Sequence, residues 1–281
     1  MDGIFPPFEP GRRKRRRRVN IGKVPLRILV PNMVTLLALC TGLTSIRLAI
    51  EGRYELAIVA ILVAAILDGI DGRVARLLKS TTRFGAELDS LTDFVNFGVS
   101  PAVLLYIWVL DDLRSLGWIA ALVFAIAAAL RLARFNISID DPSKPDWHAK
   151  FFVGMPAPAG ALTVLLPLYL YFLGVPTWLF PAPVVLLYCL AVAFMLVSRV
   201  PTFSGKRLGA RVRREFVLPL FVVTVLLAAL LVSFTWHVLA AGTVIYLACL
   251  PLGMSYYRRL EREHEEAGGA NAPTAPVEPT P

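Results

Sequence analysis

Residues 67–96 read LDGIDGRVARLLKSTTRFGAELDSLTDFVN. Five acids, Asp68, Asp71, Glu87, Asp89 and Asp93, stand here between long apolar runs. Asp68 and Asp71 are spaced i, i+3, and Asp89 and Asp93 i, i+4, so each pair lies on one face of a helix. The polar run KSTTR, 79–83, between them predicts a turn joining two antiparallel helices. Counting outward from that turn, Asp71 and Asp89 lie roughly 12–15 Å away, and Asp68 and Asp93 roughly 18–20 Å away, at about 1.5 Å per residue. The four carboxylates are therefore expected to converge at matching depths in a pocket open at the turn.

The surrounding chain makes that convergence costly. It has 281 residues, is 57% hydrophobic and has a mean hydropathy of +0.65, which excludes an ordinary soluble domain. Apolar runs of membrane-crossing length recur at 31–50, 54–78, 84–110, 115–136, 155–174, 177–198, 216–234 and 236–257. The fold class expected is all-α, a polytopic bundle of about eight transmembrane helices in one membrane domain, 25–257. A basic tail at 1–24 and a charged, then disordered, tail at 258–281 flank it. No cleavable signal is expected, because the first apolar run is span-length and no small-residue cleavage site follows it.

Charge sets the orientation. Arg73, Arg76, Lys79 and Arg83, then Arg131, Arg134, Lys144 and Lys150, then Lys206 to Arg214, then Arg258, Arg259 and Arg262 fall on alternate loops. The opposite side holds little beyond Arg53 and Arg114, with Arg47 nearby. The positive-inside rule then places both termini, and the acidic turn, in the cytoplasm. The net charge of +9 includes RRKRRRR at 12–18. With no aromatic interleaving or nucleic-acid motif, that run points to an anionic lipid bilayer and not to nucleic acid. Cys40, Cys189 and Cys249 lie in apolar runs without metal-ligand spacing and are expected to be free thiols.

An acid at the centre of a membrane helix costs about 2.5–3.5 kcal/mol on insertion scales, so something cationic must offset the cluster. Two kinds of partner are available: Arg73, Arg76 and Arg83, or a divalent ion. Hard cations such as Mg²⁺ or Mn²⁺ take oxygen ligands of this kind and lead toward phosphate chemistry. A purely structural ion-pair network and a cation or proton transport path using membrane carboxylates are the rival readings.

The spacing Asp68-x2-Asp71-Gly72-x2-Ala75-Arg76-x8-Gly85-x3-Asp89-x3-Asp93 resembles the signature of the CDP-alcohol phosphatidyltransferases, with every fixed position present. Members of that family move a phosphatidyl-type group from a CDP-linked lipid to an alcohol and release CMP. The resemblance implies metal-binding roles for Asp68, Asp71, Asp89 and Asp93, with two ions, Mg²⁺ or Mn²⁺, and a general-base role for Asp93. It also implies contacts to the CDP portion from Gly72, Arg76, Thr82 and Gly85, and from Pro31 and Asn32 at the start of the first span. Three further segments, ALRLARFN (129–136), FVGMPAPAGA (152–161) and SRVPTFSGK (198–206), are similar to the integral-membrane bacterial phosphatidylserine synthases within the family. Met155-Pro156-Ala157-Pro158 departs from the subgroup's Leu-Pro-Ser-Pro by the loss of a serine hydroxyl.

That subgroup implies CDP-diacylglycerol as donor, L-serine as acceptor, a homodimer, and a site on the cytoplasmic face of the bacterial inner membrane. Glycerol-3-phosphate, inositol phosphate and choline are the alternative acceptors. Arg131 and Arg134 lie three residues apart at the inner end of the fourth span. They are candidates for the acceptor's carboxylate or a lipid phosphate, with positive-inside anchoring as the plain alternative.

Overall fold

The computed structural model describes residues 26–139, 151–153, 155–198, 201–203 and 214–250. Both expected tails lie outside the described residues, as do Lys144, Lys150 and Lys206 to Arg213. Helices dominate, and each expected apolar run contains one. In order they are α1 (Leu26–Ile50), α2 (Tyr54–Leu77), α3 (Arg83–Asp93), α4 (Ser100–Trp108), α5 (Ser115–Ile139), α6 (Ala157–Val164), α7 (Leu166–Phe172), α8 (Ala182–Val197), α9 (Arg214–Ser233) and α10 (Thr235–Leu250). Three helical stretches, Leu29–Ile50, Arg83–Trp108 and Ser115–Ile137, are long and apolar enough to cross a membrane; α9 with α10 makes a fourth if the bent pair counts as one span. The chain is thus a membrane-helical protein by composition and helix length. The second half of α2, with Asp68, Asp71, Arg73 and Arg76, is too charged to join that set.

α1 is ~37 Å long at about 1.5 Å per residue, and its buried face is a stripe of small residues. Pro31, Thr35, Ala38, Gly42, Ser45 and Ala49 recur at helical spacing, while Met33, Leu37, Leu43 and Ile50 point outward. Between helices in lipid, attraction comes from close packing and interhelical hydrogen bonds, which small residues permit. α1 lies along α2 and also touches α3 and α4. At Gly42 the approach is so close that a Cβ would run into the Asn96 amide, and the Gly42 carbonyl accepts the Ser100 hydroxyl at 2.9 Å.

α2 and α3 form the expected hairpin. Lys79 turns the chain with φ of 49°, and Thr82 caps α3 by accepting the Gly85 amide at 3.0 Å. α3 runs into α4 through one π-helical stretch, Phe94–Val99. Pro101 has no N–H to donate to the preceding turn, and the Ser100 amide instead reaches back to the Val95 carbonyl. The wide turn falls immediately after Asp93.

The fifth expected span is not one helix. It breaks at Leu165 between α6 and α7, where Pro167 opens the second helix. The chain turns again at Gly174, φ 80°, before α8. α9 and α10 meet at Phe234 with a bend of 117°. α9 exposes Leu218, Phe221, Leu226 and Leu230, as a lipid-embedded helix does. The core lies between α2, α4, α5, α7 and α8, around Ile58, Ile61, Leu104, Leu105, Phe124, Leu168, Tyr169 and Cys189. All three cysteines are free. Two three-residue strands, Phe151–Val153 and Pro201–Phe203, pair antiparallel with Phe151 opposite Phe203. They join the chain that follows α5 to the chain that follows α8.

Candidate active site

Helix geometry delivers the aspartates. One oxygen from each of Asp68, Asp71 and Asp89 lies within 4.8 Å of the others. Asp93, one turn beyond Asp89, stands in side-chain contact with Asp68, and its Oδ1 is buried with no hydrogen-bond partner. Four carboxylates thus share one small volume. No salt bridge reaches them: among the described residues the salt bridges are Arg47–Glu51 at 2.8 Å and Arg53–Glu51 at 4.0 Å, both at the far end of α1. Arg73, Arg76 and Arg83 are exposed. A structural ion-pair network requires those guanidinium groups on the carboxylates, and the fold does not put them there. Converging carboxylate oxygens at this separation fit a divalent, oxygen-seeking cation.

α1 adds a residue that the sequence reading passed over. Thr35 Oγ1 lies 2.6 Å from Asp71 Oδ2 and 3.1 Å from the Pro31 carbonyl. Its single proton goes to the shorter, charged contact and fixes one Asp71 oxygen, leaving the other for a cation. The available signal was the four-residue spacing from Pro31 on the small-residue stripe. Thr35→Val is expected to raise the divalent-ion concentration needed for half-maximal turnover about tenfold or more, the scale of one hydrogen bond to a charged group. A metal titration of product release checks this.

The residues expected near the nucleotide gather at the hairpin turn. A Cβ on Gly85 would stand 3.0 Å from Asn32 Oδ1 and 3.2 Å from Thr82 Oγ1, so the glycine lets the start of α1 meet the start of α3. Pro31 is buried beside them. Thr82 uses its oxygen to cap α3, which leaves its proton to donate. Gly72 and Arg76 are exposed on α2, and a Cβ at Gly72 would meet nothing within 4 Å. The backbone there is open to a ligand.

The two arginines expected at the acceptor differ. Arg134 is exposed, and its Nη1 donates to the Val197 carbonyl at 2.6 Å, tying α5 to the end of α8. Arg131 is half-buried, with its guanidinium carbon 5.3 Å from the Phe135 ring centroid and its charge within electrostatic reach of Asp93 and Tyr246. Asn136 is on α5 and donates to Ser90 Oγ at 2.9 Å, beside Asp89. His237 is exposed, its ring edge-on to that of Phe234.

Fold and site together define a membrane-helical protein with a carboxylate centre fit for a metal ion at the turn of a helical hairpin. Comparison with known proteins gives that class its family. The model for CDP-alcohol phosphatidyltransferases matches residues 28–198, and the model described as CDP-alcohol phosphatidyltransferase 2 matches 215–251. The chain belongs to the CDP-alcohol phosphatidyltransferase family. It is similar to proteins named CDP-diacylglycerol–serine O-phosphatidyltransferase. The Mycobacterium leprae relative is 46% identical over 192 residues, 68% of this chain and 61% of its own length. The Mycobacterium tuberculosis relative is 36% identical over 255 residues, 91% of this chain and 86% of its own length. The archaeal Methanocaldococcus jannaschii relative is 41% identical over 139 residues, 49% of this chain and 59% of its own length.

Proposed function

We propose that the protein transfers the phosphatidyl group of CDP-diacylglycerol to L-serine, giving phosphatidylserine and CMP. The observation that carries the reaction class is the cluster of Asp68, Asp71 and Asp89 within 4.8 Å, with no arginine paired to it. The names of the similar proteins support serine as acceptor.

Asp68, Asp71 and Asp89, with Asp93 at their edge, hold divalent cations, two Mg²⁺ or Mn²⁺ ions in our reading. When bound, the ions neutralise the pyrophosphate and the developing charge on the leaving group. The chain's own residues do the rest. Arg76, the Thr82 hydroxyl and the open backbone at Gly72 take the nucleotide phosphates, and Pro31, Asn32 and Gly85 border the cytidine. The serine hydroxyl holds its proton well above neutral pH, so Asp93 accepts it as attack proceeds. The hydroxyl oxygen forms the new bond to the phosphatidyl phosphorus, the pyrophosphate bond breaks, and CMP leaves with the electron pair.

The charge asymmetry supports an even number of crossings, eight in our reading, with both termini in the cytoplasm and the site facing it; the likeness to bacterial relatives supports the inner membrane of a bacterium. The donor's acyl chains remain in the bilayer while CDP occupies the polar pocket. A homodimer is part of the proposal.

Purified protein supplied with CDP-diacylglycerol is expected to release CMP with L-serine, and not with glycerol-3-phosphate, inositol phosphate or choline. Release should fall to background in excess EDTA and return with Mg²⁺ or Mn²⁺. Turnover with another acceptor alone refutes serine, and ion flux into liposomes without CMP release refutes the enzyme.

A further inference from the structure

α10 brings a tyrosine to the acceptor side of the site. Leu239, Ala240 and Leu250 seat this helix in the main core, and Tyr246 packs inward with them. Its hydroxyl is buried and finds no hydrogen-bond partner among the described residues. A buried phenol normally has one. It lies within electrostatic reach of the Arg131 guanidinium, which is also within reach of Asp93. Arg131 makes no salt bridge among the described residues, although its side chain is held against Phe135. One guanidinium within reach of the proposed base, and one phenol within reach of that guanidinium, therefore carry hydrogens to donate without an acceptor among the described residues.

We infer that Arg131 and Tyr246 form the subsite for the acceptor's carboxylate, an assignment that rests on the proposed serine reading. Arg131 pairs with the carboxylate, and the Tyr246 hydroxyl donates to the same group. The amino acid's hydroxyl, only a few bonds away, then points back toward Asp93. The supply of cations argues for a carboxylate over a phosphate monoester. Arg134 already spends its Nη1 on the Val197 carbonyl, so among the described residues Arg131 is the guanidinium left unspent between these two, which suits a singly charged acid. A carboxylate also matches the planar fork of arginine. The role of α10 is then to complete acceptor recognition, with the bend at Phe234 setting where its tyrosine falls.

The test uses the full chain in detergent micelles with CDP-diacylglycerol, varying L-serine and, separately, L-serinamide, which lacks the carboxylate charge. Tyr246→Phe removes one oxygen and keeps the ring. It is expected to raise the KM for L-serine about tenfold, the scale of one hydrogen bond to a charged group. The KM for donor should stay within twofold and kcat within threefold. Arg131→Lys keeps the charge, loses the fork and should raise the serine KM further. Wild-type protein should prefer serine to serinamide, and the preference should narrow in both variants. An unmoved serine KM in Tyr246→Phe, with serine-dependent turnover intact, overturns the subsite alone. A rise confined to the donor KM also overturns it, by assigning the pair to a lipid phosphate. Wild-type protein that uses no serine at all overturns the subsite together with the proposed acceptor.

Discussion

Asp93→Asn is expected to slow CMP release by about 10²–10⁴-fold, the usual contribution of a positioned base. Affinity for CDP-diacylglycerol should change only a few-fold. The expectation follows from where the residue sits. Asp68, Asp71 and Asp89 make the tight group, whereas Asp93 lies at its edge, against Asp68 and within the field of Arg131. Its Oδ1 is buried yet has no hydrogen-bond partner among the described residues, which suits an oxygen that receives a proton from an incoming substrate. Asparagine has the same shape and keeps one oxygen, so the helix and its π-helical continuation should be undisturbed. It cannot take the proton. Single-turnover CMP release measured beside equilibrium donor binding separates the two effects. Wild-type turnover in the variant would remove Asp93 from the chemistry, and a loss explained wholly by donor binding would make it a metal ligand only.

The hairpin was legible because one number governs it. A rise of about 1.5 Å per residue converts sequence distance from the turn into depth, so the level at which Asp71 meets Asp89 could be counted before any coordinates existed. The meeting of Asn32 with Gly85 was not countable in that way, since it depends on how α1 crosses the hairpin. Thr35 was passed over for a related reason. A threonine in an apolar run resembles any neutral residue until the facing helix is known, and here that helix presents Asp71. The break at Leu165 had a signal in Pro167, but a proline inside a long apolar run is common in membrane helices and does not fix a boundary. The π-helical stretch had only Pro101 to announce it. The paired strands are three residues each, too short to show an alternating pattern, although FVGMPAPAGA and SRVPTFSGK both carried the family resemblance. Tyr246 was invisible for the longest-range reason. Its meeting with Arg131 depends on the bend between α9 and α10, and nothing within α10 encodes its partner on α5.

Asp89→Asn separates a cation-binding centre from a merely structural one by moving activity and stability in opposite directions. As a ligand, Asp89 supplies one of the three converging oxygens. Its loss should lower turnover by about 10²-fold or more, an extent consistent with removal of one ligand from a charge-stabilising centre. It should also shift the metal titration to higher concentration. In EDTA the same substitution removes one of several close, like-charged groups that no salt bridge neutralises among the described residues. Repulsion falls, so the metal-free variant should melt higher than the metal-free wild type. A relief of about 1 kcal/mol corresponds to roughly 2–4 °C for a domain of 150–250 residues. Added Mg²⁺ or Mn²⁺ should stabilise the wild type more than the variant, since a ligand that binds the folded state raises its melting temperature with concentration. Under an ion-pair network the signs reverse: removing one carboxylate would strand a buried guanidinium and lower stability with or without metal. Thermal scans of both proteins in detergent, in EDTA and across a metal titration, decide between the two. A variant that melts lower than wild type in EDTA and responds to metal as wild type does would mean that these aspartates bind the helices to each other and not to an ion.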